Sequence, residues 1–448
     1  MNHMEVDLAS PVEKALRMLS RMNLDFYDVY AVHSRSLMID ILGKGVKEAR
    51  LRVDVGLGVR AYKSKGLGVA FTQSLSLSDV ERTVRKAVDF ARAAQPDPYF
   101  KGLPGPSKAS EVPGLYDEET ASLTLEEAAS LAERMIDAAE DVKAGAMYRG
   151  GLAAGHARSH LATSTGISVE TEKTGISAYI ALTYRRGDDV GSSYEYDYSI
   201  SASELDLEKI GRRAAEKAME QFGSRRVKSG TMPIILTPES SSLLIGGLMA
   251  AISGESAAKG RTFASKYLGK QMASQLLNIL DDGTVPGAFA SSTYDGEGVP
   301  RRPTEVVKDG VLLTFLHNSY SAGILGVETT GHARRSYSGN VDAGPTNIKV
   351  KPGDSSLQEM IEETAKGILV TGASFHPNIV SGEFSTTIDE GFLIEGGEKK
   401  HPVKNLMAGG NITEMYMNIK LVSKEGRTIG KGHFFPSIMI SQVKLAGK

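Results

Sequence analysis

The sequence predicts a β-rich globular protein of two domains, with helices and strands mixed in the first half and strands dominating the second. Its length of 448 residues exceeds what one hydrophobic core usually organises, so more than one domain is expected. Glycine contributes 48 residues, which predicts many turns and favours hairpins over a helical bundle. Apolar residues alternate with period two in many segments, as they do on strands with one buried face.

Four helices are predicted in the first half, and a capping residue followed by Glu three positions later marks the start of three of them. These starts are Ser10 with Glu13, Ser78 with Glu81 and Thr124 with Glu127, and the fourth helix spans residues 207–222. Strands are predicted at residues 28–33, 37–42, 51–62, 68–72, 168–172, 176–184 and 192–198, with a hairpin turn at 63–66.

Residues 223–230 are polar and bounded by glycine, which is typical of a linker. We therefore expect an N-terminal domain at 1–225 and a C-terminal domain at 231–448. The predicted elements of the second half are a strand at 232–236, a helix after Thr237, hairpin turns at 308–310 and 395–398, a helix capped by Ser355 with Gln358, a strand at 368–370, a helix at 412–421 and a strand at 437–443.

The charge balance gives no sign of a nucleic-acid or membrane partner. Lys and Arg number 52 against 54 Asp and Glu, so no basic field is available to attract DNA or acidic lipid. No apolar leader and no long apolar run are visible, which predicts neither a signal peptide nor a membrane span. Cysteine is absent, which excludes disulfides, a thiol nucleophile and cysteine-ligated zinc, and we expect a cytoplasmic protein.

Histidine spacing offers one weak metal candidate. Among the nine histidines, which include His3, only His156 and His160 have the i, i+4 spacing of a helical zinc pair, and the Glu that would follow the first is missing. They lie in a segment with a strand pattern, where four residues span roughly 13 Å and cannot share one ion. We therefore favour a solvent-facing strand over a zinc site.

Three other motifs have simple structural interpretations. Residues 254–262 contain Gly, Lys and Thr in an order unlike that of a P-loop, and they follow a helix instead of a strand. The acidic residues at 281–282 and 295–297 precede turn residues, which is typical of Asx turns and not of a calcium loop. Ser253 and Ser319 lack the motif that surrounds a nucleophilic serine.

A series of segments in the second half has an order and spacing that are hard to obtain by chance. They are PESSSLLIGGLMAAISGESAAKG at 238–260, DDGTVPG at 281–287, DGEGVP at 295–300 and further segments at 259–263, 268–274, 309–312, 330–335, 345–347, 381–385 and 391–397. Together they resemble the TldD/PmbA family, peptidases historically described as modulators of DNA gyrase. The resemblance extends over nearly the whole chain.

The resemblance implies an α+β N-terminal domain, a C-terminal domain built on a large antiparallel sheet, and assembly into dimers. In this family, TldD-type subunits carry His-Glu-x-x-x-His on the helix after Thr237 and complete the zinc site with a cysteine near the C-terminus. The aligned positions here are Ile245, Gly246 and Ala250, which can neither bind a metal nor accept a proton. Since cysteine is also absent, we expect this chain to provide no metal site and no catalytic residue.

Two functions of different classes are consistent with the resemblance. The first is a PmbA/TldE-type subunit of a heterodimeric metallopeptidase, in which a TldD-type partner holds the zinc and the substrate is an unfolded polypeptide or peptide precursor. The second is a free-standing homodimer that binds peptides or regulates, like a gyrase modulator, without catalysis.

Overall fold

The computed structural model describes residues 6–447, and the first half of this range forms one sheet with helices on one face. The strands are β1 (Phe26–Gly43), β2 (Gly45–Lys63), β3 (Gly66–Thr72), β4 (Met147–Thr163), β5 (Ser168–Arg186) and β6 (Asp189–Ser199). The helices are α1 (Ala9–Leu19), α2 (Leu77–Ala93), α3 (Glu118–Ser122), α4 (Leu125–Val142) and α5 (Leu207–Glu220). The strand order is β3-β2-β1-β4-β5-β6, and every neighbouring pair is antiparallel.

Two separate apolar clusters hold the helices on this sheet. One joins α1 and α2 to the sheet around Val29 and Val59, which face each other across β1 and β2. The other joins α4 and α5 to the sheet around Ile39 and Ile180. The opposite face approaches the second half of the chain closely at Gly58, where an added Cβ would lie 2.1 Å from the carbonyl oxygen of Tyr337. Glycine is therefore required at this contact.

The second half is built on a larger sheet. Its strands are β7 (Gly230–Leu236), β8 (Ile279–Asp282), β9 (Pro303–Lys308), β10 (Val311–Leu312), β13 (Ile348–Val350), β14 (Lys366–Ala373), β15 (Glu383–Glu395), β16 (Glu398–Pro402), β17 (Leu406–Asn411), β18 (Ile419–Ile429) and β19 (His433–Ala446), and β11 (Ala333–Arg334) pairs separately with β12 (Asp342–Ala343). The helices are α6 (Pro238–Ala251), α7 (Gly254–Ala258), α8 (Ser319–Leu325), α9 (Leu357–Glu362) and α10 (Ile412–Met417).

The strands of the large sheet close on themselves in part. Their order is β10-β9-β8-β13-β19-β17-β15-β14-β7, and β7 also pairs with β19, so that β19, β17, β15, β14 and β7 form a ring. Most pairs are antiparallel, while β13 with β19 and β14 with β7 are parallel. Helix α6 packs against this ring, and its Leu244 belongs to the same apolar core as Ile234 and Ile438. The predicted α+β class with a sheet-rich C-terminal half is confirmed.

The hairpin predictions are confirmed, whereas several strand ends were wrong. The turns at 63–66, 308–310 and 395–398 contain residues with positive φ, as tight hairpin turns require. The segments 28–33 and 37–42, however, form the single strand β1, and 168–172 and 176–184 form the single strand β5. Residues 412–421 contain only the short α10 before β18 begins.

The predicted helix starts were correct at some helices and wrong at others. Thr124 and Glu127 form the predicted capping box. The prediction was wrong for α1, which begins at Ala9 with Leu8 as its N-cap and no side-chain cap, while the carboxylate of Asp7 accepts the Ser10 N–H. It was also wrong for α2 and α9, because the caps are Ser76 and Ser356, two residues and one residue away from the predicted serines Ser78 and Ser355.

No helix among residues 6–447 has the length and apolar character needed to cross a bilayer.

Candidate functional site

Helix α6 is positioned by the strand before it and by its own apolar side. The central strand β7 leads directly into Thr237 and then Pro238, whose fixed φ suits the first turn of a helix. Along α6, Leu244, Ile245 and Leu248 are completely buried in the core of the C-terminal half. The helix is therefore fixed against the ring of strands, and only one of its sides can serve a ligand.

That side carries Gly246 and Ala250, which lie one turn apart and face a cavity of about 610 Å³. An added Cβ at Gly246 would meet no atom within 4 Å, and Ala250 is exposed. The structure thus brings together two of the three positions aligned with the family's zinc motif. The third, Ile245, lies in the core instead.

The rest of this cavity, which we call the α6 cavity, is formed by α7, by the turn that follows α7 and by the paired strands β11 and β12. Its charged residues are Glu255, Lys259, Arg261, Arg334 and Asp342, and Ser253 also lines it. Glu255 and Lys259 form an ion pair one turn apart, and Arg334 donates a hydrogen bond to the carbonyl of Pro345. Two carboxylates therefore face three cations in a wall that contains no imidazole.

These residues do not fit a zinc ion. A hydrolytic zinc site needs three side-chain ligands and an open position for water, but Gly246 and Ala250 offer no donor atom and Glu255 is engaged by Lys259. Within residues 6–447, no group of three or more His, Asp or Glu residues is arranged to hold a metal ion. No hydrolytic step through a metal can be assigned to this side of α6.

A buried ionic cluster lies where the N-terminal sheet meets the C-terminal half. The carboxylate of Asp28 on β1 accepts hydrogen bonds from Arg60 on β2 at 2.8 Å and from Arg335 at 2.7 Å. Burial alone would raise the pKa of Asp28, but the two guanidinium groups outweigh it and hold this pKa below its ordinary value. Glu297 lies 3.8 Å from Arg60 and accepts a hydrogen bond from the Ser319 hydroxyl, and burial raises its pKa.

This cluster was not predicted from the sequence. Arg60 lies in a strand of alternating pattern, which gives no local sign that its side chain pairs with Asp28. Arg335, the second partner of Asp28, lies far from both residues in the sequence. Residues 295–297 were interpreted as an Asx turn, and this is confirmed for Asp295, whose carboxylate accepts the N–H groups of Glu297 and Val299. Glu297 itself has a different role as part of the ionic cluster.

The remaining candidates have structural partners. His156 and His160 lie on a strand as predicted, with His156 against Glu172 and His160 against Ser168. The expectation of a solvent-facing strand was wrong for His160, which is buried where the strand meets its neighbours. Ser319 contacts Glu297 and not His317. His3 lies outside the described residues.

The acidic pair at 281–282 divides between two roles. Asp282 accepts the N–H of Thr284 two residues later, which is the predicted Asx turn. Asp281 is fully buried and accepts the N–H of Thr346 while lying 3.1 Å from the ring of His332. Neither residue faces the α6 cavity.

Three family models match consecutive parts of the chain. The model described as PmbA/TldA metallopeptidase C-terminal domain matches residues 229–447, the central-domain model matches 118–222, and the domain 1 model matches 27–91. The last two models divide the region for which one N-terminal domain, 1–225, was predicted, while the N-terminal sheet extends through both. The division of the chain at 225 and 231 stays a prediction.

Known proteins similar to this chain cover almost all of it. The Escherichia coli O157:H7 protein named Metalloprotease PmbA is 28% identical over 407 residues, which is 90% of this chain and 88% of that protein. An uncharacterized protein of Methanocaldococcus jannaschii is 29% identical over 419 residues, 92% of this chain and 96% of that protein. The crystal structure of TldE from Thermococcus kodakarensis has a TM-score of 0.88 at 26% identity and covers 98% of this chain and 100% of that one.

Proposed function

Because the chain belongs to the PmbA/TldD family of metallopeptidases, we propose that it is the PmbA/TldE-type subunit of a TldD/TldE-type peptidase complex and supplies no metal site of its own. The substrate is an unfolded polypeptide or a peptide precursor, and a TldD-type partner carries the zinc. One observation supports this assignment above others. Gly246, which has no side chain, and Ala250, whose methyl group cannot bind a metal, both face an open cavity.

The geometry supports a role in substrate handling. The α6 cavity is large enough for several atoms of an extended chain, since pockets of roughly 300–1,000 Å³ accommodate ligands of drug size. Its wall mixes cations, carboxylates and Ser253, which can hydrogen-bond to the backbone of a peptide. In the proposed complex, this chain shapes and lines the substrate route, and the hydrolytic water is activated on the partner.

The test is reconstitution with a TldD-type protein from the same organism. Size-exclusion chromatography with light scattering should show a heterodimer, and the mixture should hydrolyse an unfolded casein in a chelator-sensitive manner. This chain alone should be inactive and free of stoichiometric zinc by elemental analysis. As the matched control, a partner whose first zinc-motif histidine is replaced by alanine should assemble but not hydrolyse.

Hydrolysis by this chain alone that survives repurification, whether or not a chelator abolishes it, would overturn the proposal. A stable homodimer that does not bind the TldD-type protein would instead favour the free-standing peptide-binding protein.

A further inference from the structure

A second cavity, of about 700 Å³, lies between the uncovered face of the N-terminal sheet and the loops of the C-terminal half. Tyr30 and Lys173 line it from the sheet, and Arg301, Arg334 and Arg335 line it from the other side. It is called the interdomain cavity below. Arg334 lines both this cavity and the α6 cavity, so the two adjoin at this side chain.

The inner wall of the interdomain cavity contains an arginine with an unused donor. The side chain of Arg335 is only 3% exposed, and its guanidinium lies over the ring of Tyr30 at 4.7 Å. One terminal nitrogen donates to Asp28 and the other to the carbonyl of Gly296. Its Nε is buried and has no hydrogen-bond partner among the described residues. A buried donor without an acceptor is unfavourable, and a ligand that supplies an acceptor relieves this cost.

Two further cations in this wall donate to carbonyl and hydroxyl oxygens and form no direct ion pair with a carboxylate among residues 6–447. Lys173 donates to the carbonyl oxygens of Phe289 and Ser291, and burial, assisted by the charge of Arg301, lowers its pKa to about 8. Arg301 donates to the carbonyl of Gly331 and to the Ser292 hydroxyl. Backbone carbonyls therefore accept the hydrogen bonds of both groups, and the charges of Asp295 and Asp281 offset that of Arg301 in part, whereas Lys173 has no such carboxylate nearby in the described part of the chain.

The charges at the rim have the opposite sign. Glu111, Glu170 and Glu172 also line the cavity, and all three are exposed. The buried carboxylate of Asp295 is occupied by three backbone N–H groups, those of Glu297, Val299 and Ala333. A ligand with one anionic end fits a basic interior behind an acidic rim, whereas a polyanion such as nucleic acid would be repelled at the entrance.

We infer that the interdomain cavity binds the C-terminal carboxylate of a peptide whose preceding residues extend past Arg334 into the α6 cavity. This inference rests on the proposed function, because it takes the substrate to be a peptide, and it adds which end of the peptide is recognised. The carboxylate binds next to the guanidinium of Arg335 and lies in the field of Lys173 and Arg301. Recognition of a free C-terminus limits binding to released ends of an unfolded chain and excludes internal segments.

The test compares two fluorescent peptides of one unstructured sequence, with a free C-terminal carboxylate or a C-terminal amide, by anisotropy on the purified chain alone. The amide should bind about ten- to a hundredfold more weakly, which corresponds to the loss of one charge-assisted hydrogen bond. Arg335→Lys keeps a cation beside Asp28 but removes the Nε donor. It should weaken the carboxylate peptide to the level of the amide and leave the amide peptide unchanged.

Two further variants distinguish a loss of peptide binding from a folding defect. Arg334→Ala removes an exposed side chain at the junction of the cavities, so it should weaken both peptides by a few-fold without changing the melting temperature. Arg212→Ala, on the exposed face of α5, is the matched control and should bind both peptides as the unchanged chain does.

Equal affinity for carboxylate and amide peptides, or no binding of either at millimolar concentration, would overturn the inference. Since the assay uses this chain without a partner, that result would leave the heterodimer and its chelator-sensitive activity standing. Conversely, a chain that prefers the carboxylate peptide but forms no heterodimer would retain the cavity assignment and lose the proposed function.

Discussion

The two sides of α6 place neighbouring residues in opposite surroundings. Ile245 is fully buried, and at Gly247 an added Cβ would lie 2.8 Å from the carbonyl oxygen of Phe375. Between them, Gly246 has open space, and Ala250 one turn later is exposed to the α6 cavity. The core side fixes where the helix lies, whereas the cavity side determines what it can do. A helix of this kind can lose its ligating side chains without losing its place in the fold.

The largest expected effect is that of a charge on the core side. Ile245→Asp buries a carboxylate with no cation beside it, which should destabilise the protein by about 4 kcal/mol or more. Ala250→Asp is the matched control on the cavity side and should cost less than about 1 kcal/mol, mainly through the helix dipole. Urea denaturation of both variants measures the difference. Similar losses for the two would show that the sides of α6 have been assigned wrongly.

A buried histidine, His317, packs against the segment that follows α6. Its protonation should lower the stability of the fold at low pH. At Gly254, an added Cβ would lie 2.3 Å from Nδ1 of His317. Burial, with a smaller contribution from the charge of His332, lowers the pKa of His317 to about 4. The unfolded chain therefore binds this proton at a higher pH than the folded protein does, and stability falls as the pH drops from about 6.5 to about 4.

At about 1.36 kcal/mol per pKa unit, the loss attributable to His317 is on the order of 3 kcal/mol. Denaturation measured across this range should show a steep acid limb for the unchanged chain and a flatter one for His317→Gln. His376→Gln, in an exposed loop, serves as the control. An acid limb that is the same in both variants would contradict the role of His317.

A finer test uses the two adjacent glycines. Gly247→Ala should cost about 1–3 kcal/mol, because the new methyl group meets the Phe375 carbonyl and the Pro377 ring. Gly246→Ala should instead stabilise by about 0.5–1 kcal/mol, since alanine is the better helix former and the space is open. Thermal melts of the two variants measure this difference. A loss of stability for Gly246→Ala would mean that the space beside Gly246 is occupied and not open.

The smallest expected effect is that of zinc, on the cavity side. A ligand that binds only the folded state at a thousandfold excess over its dissociation constant stabilises it by about 4 kcal/mol. Because Gly246 and Ala250 provide no donor atoms, neither micromolar zinc nor a chelator should change the melting temperature. Gly246→Glu combined with Ala250→His restores two donors on the same side, and this variant should gain a zinc-dependent shift if that side has been identified correctly.

Local patterns in the sequence were sufficient for the hairpins and for most helices. The turn at 308–310 was predictable because Asp309 and Gly310 both adopt positive φ, which few residue types tolerate. Cap positions were less certain where serines alternate. Ser76 and Ser78 could both open α2, and the structure uses Ser76, which accepts the Asp79 N–H. The choice depends on how the helix sits on the sheet, and periodicity does not report it.

The sequence by itself determined that no ligating side chain stands at Ile245, Gly246 or Ala250, because this follows from residue identity alone. Only the tertiary structure decided that Gly246 and Ala250 face a cavity while Ile245 does not, and that Asp28 meets Arg335 across 307 positions of sequence. The physical reason is the distance along the sequence over which each kind of interaction acts. Turns and helix caps arise from interactions within a few residues, whereas the burial of a charge pair or the opening of a cavity depends on which distant surfaces approach each other.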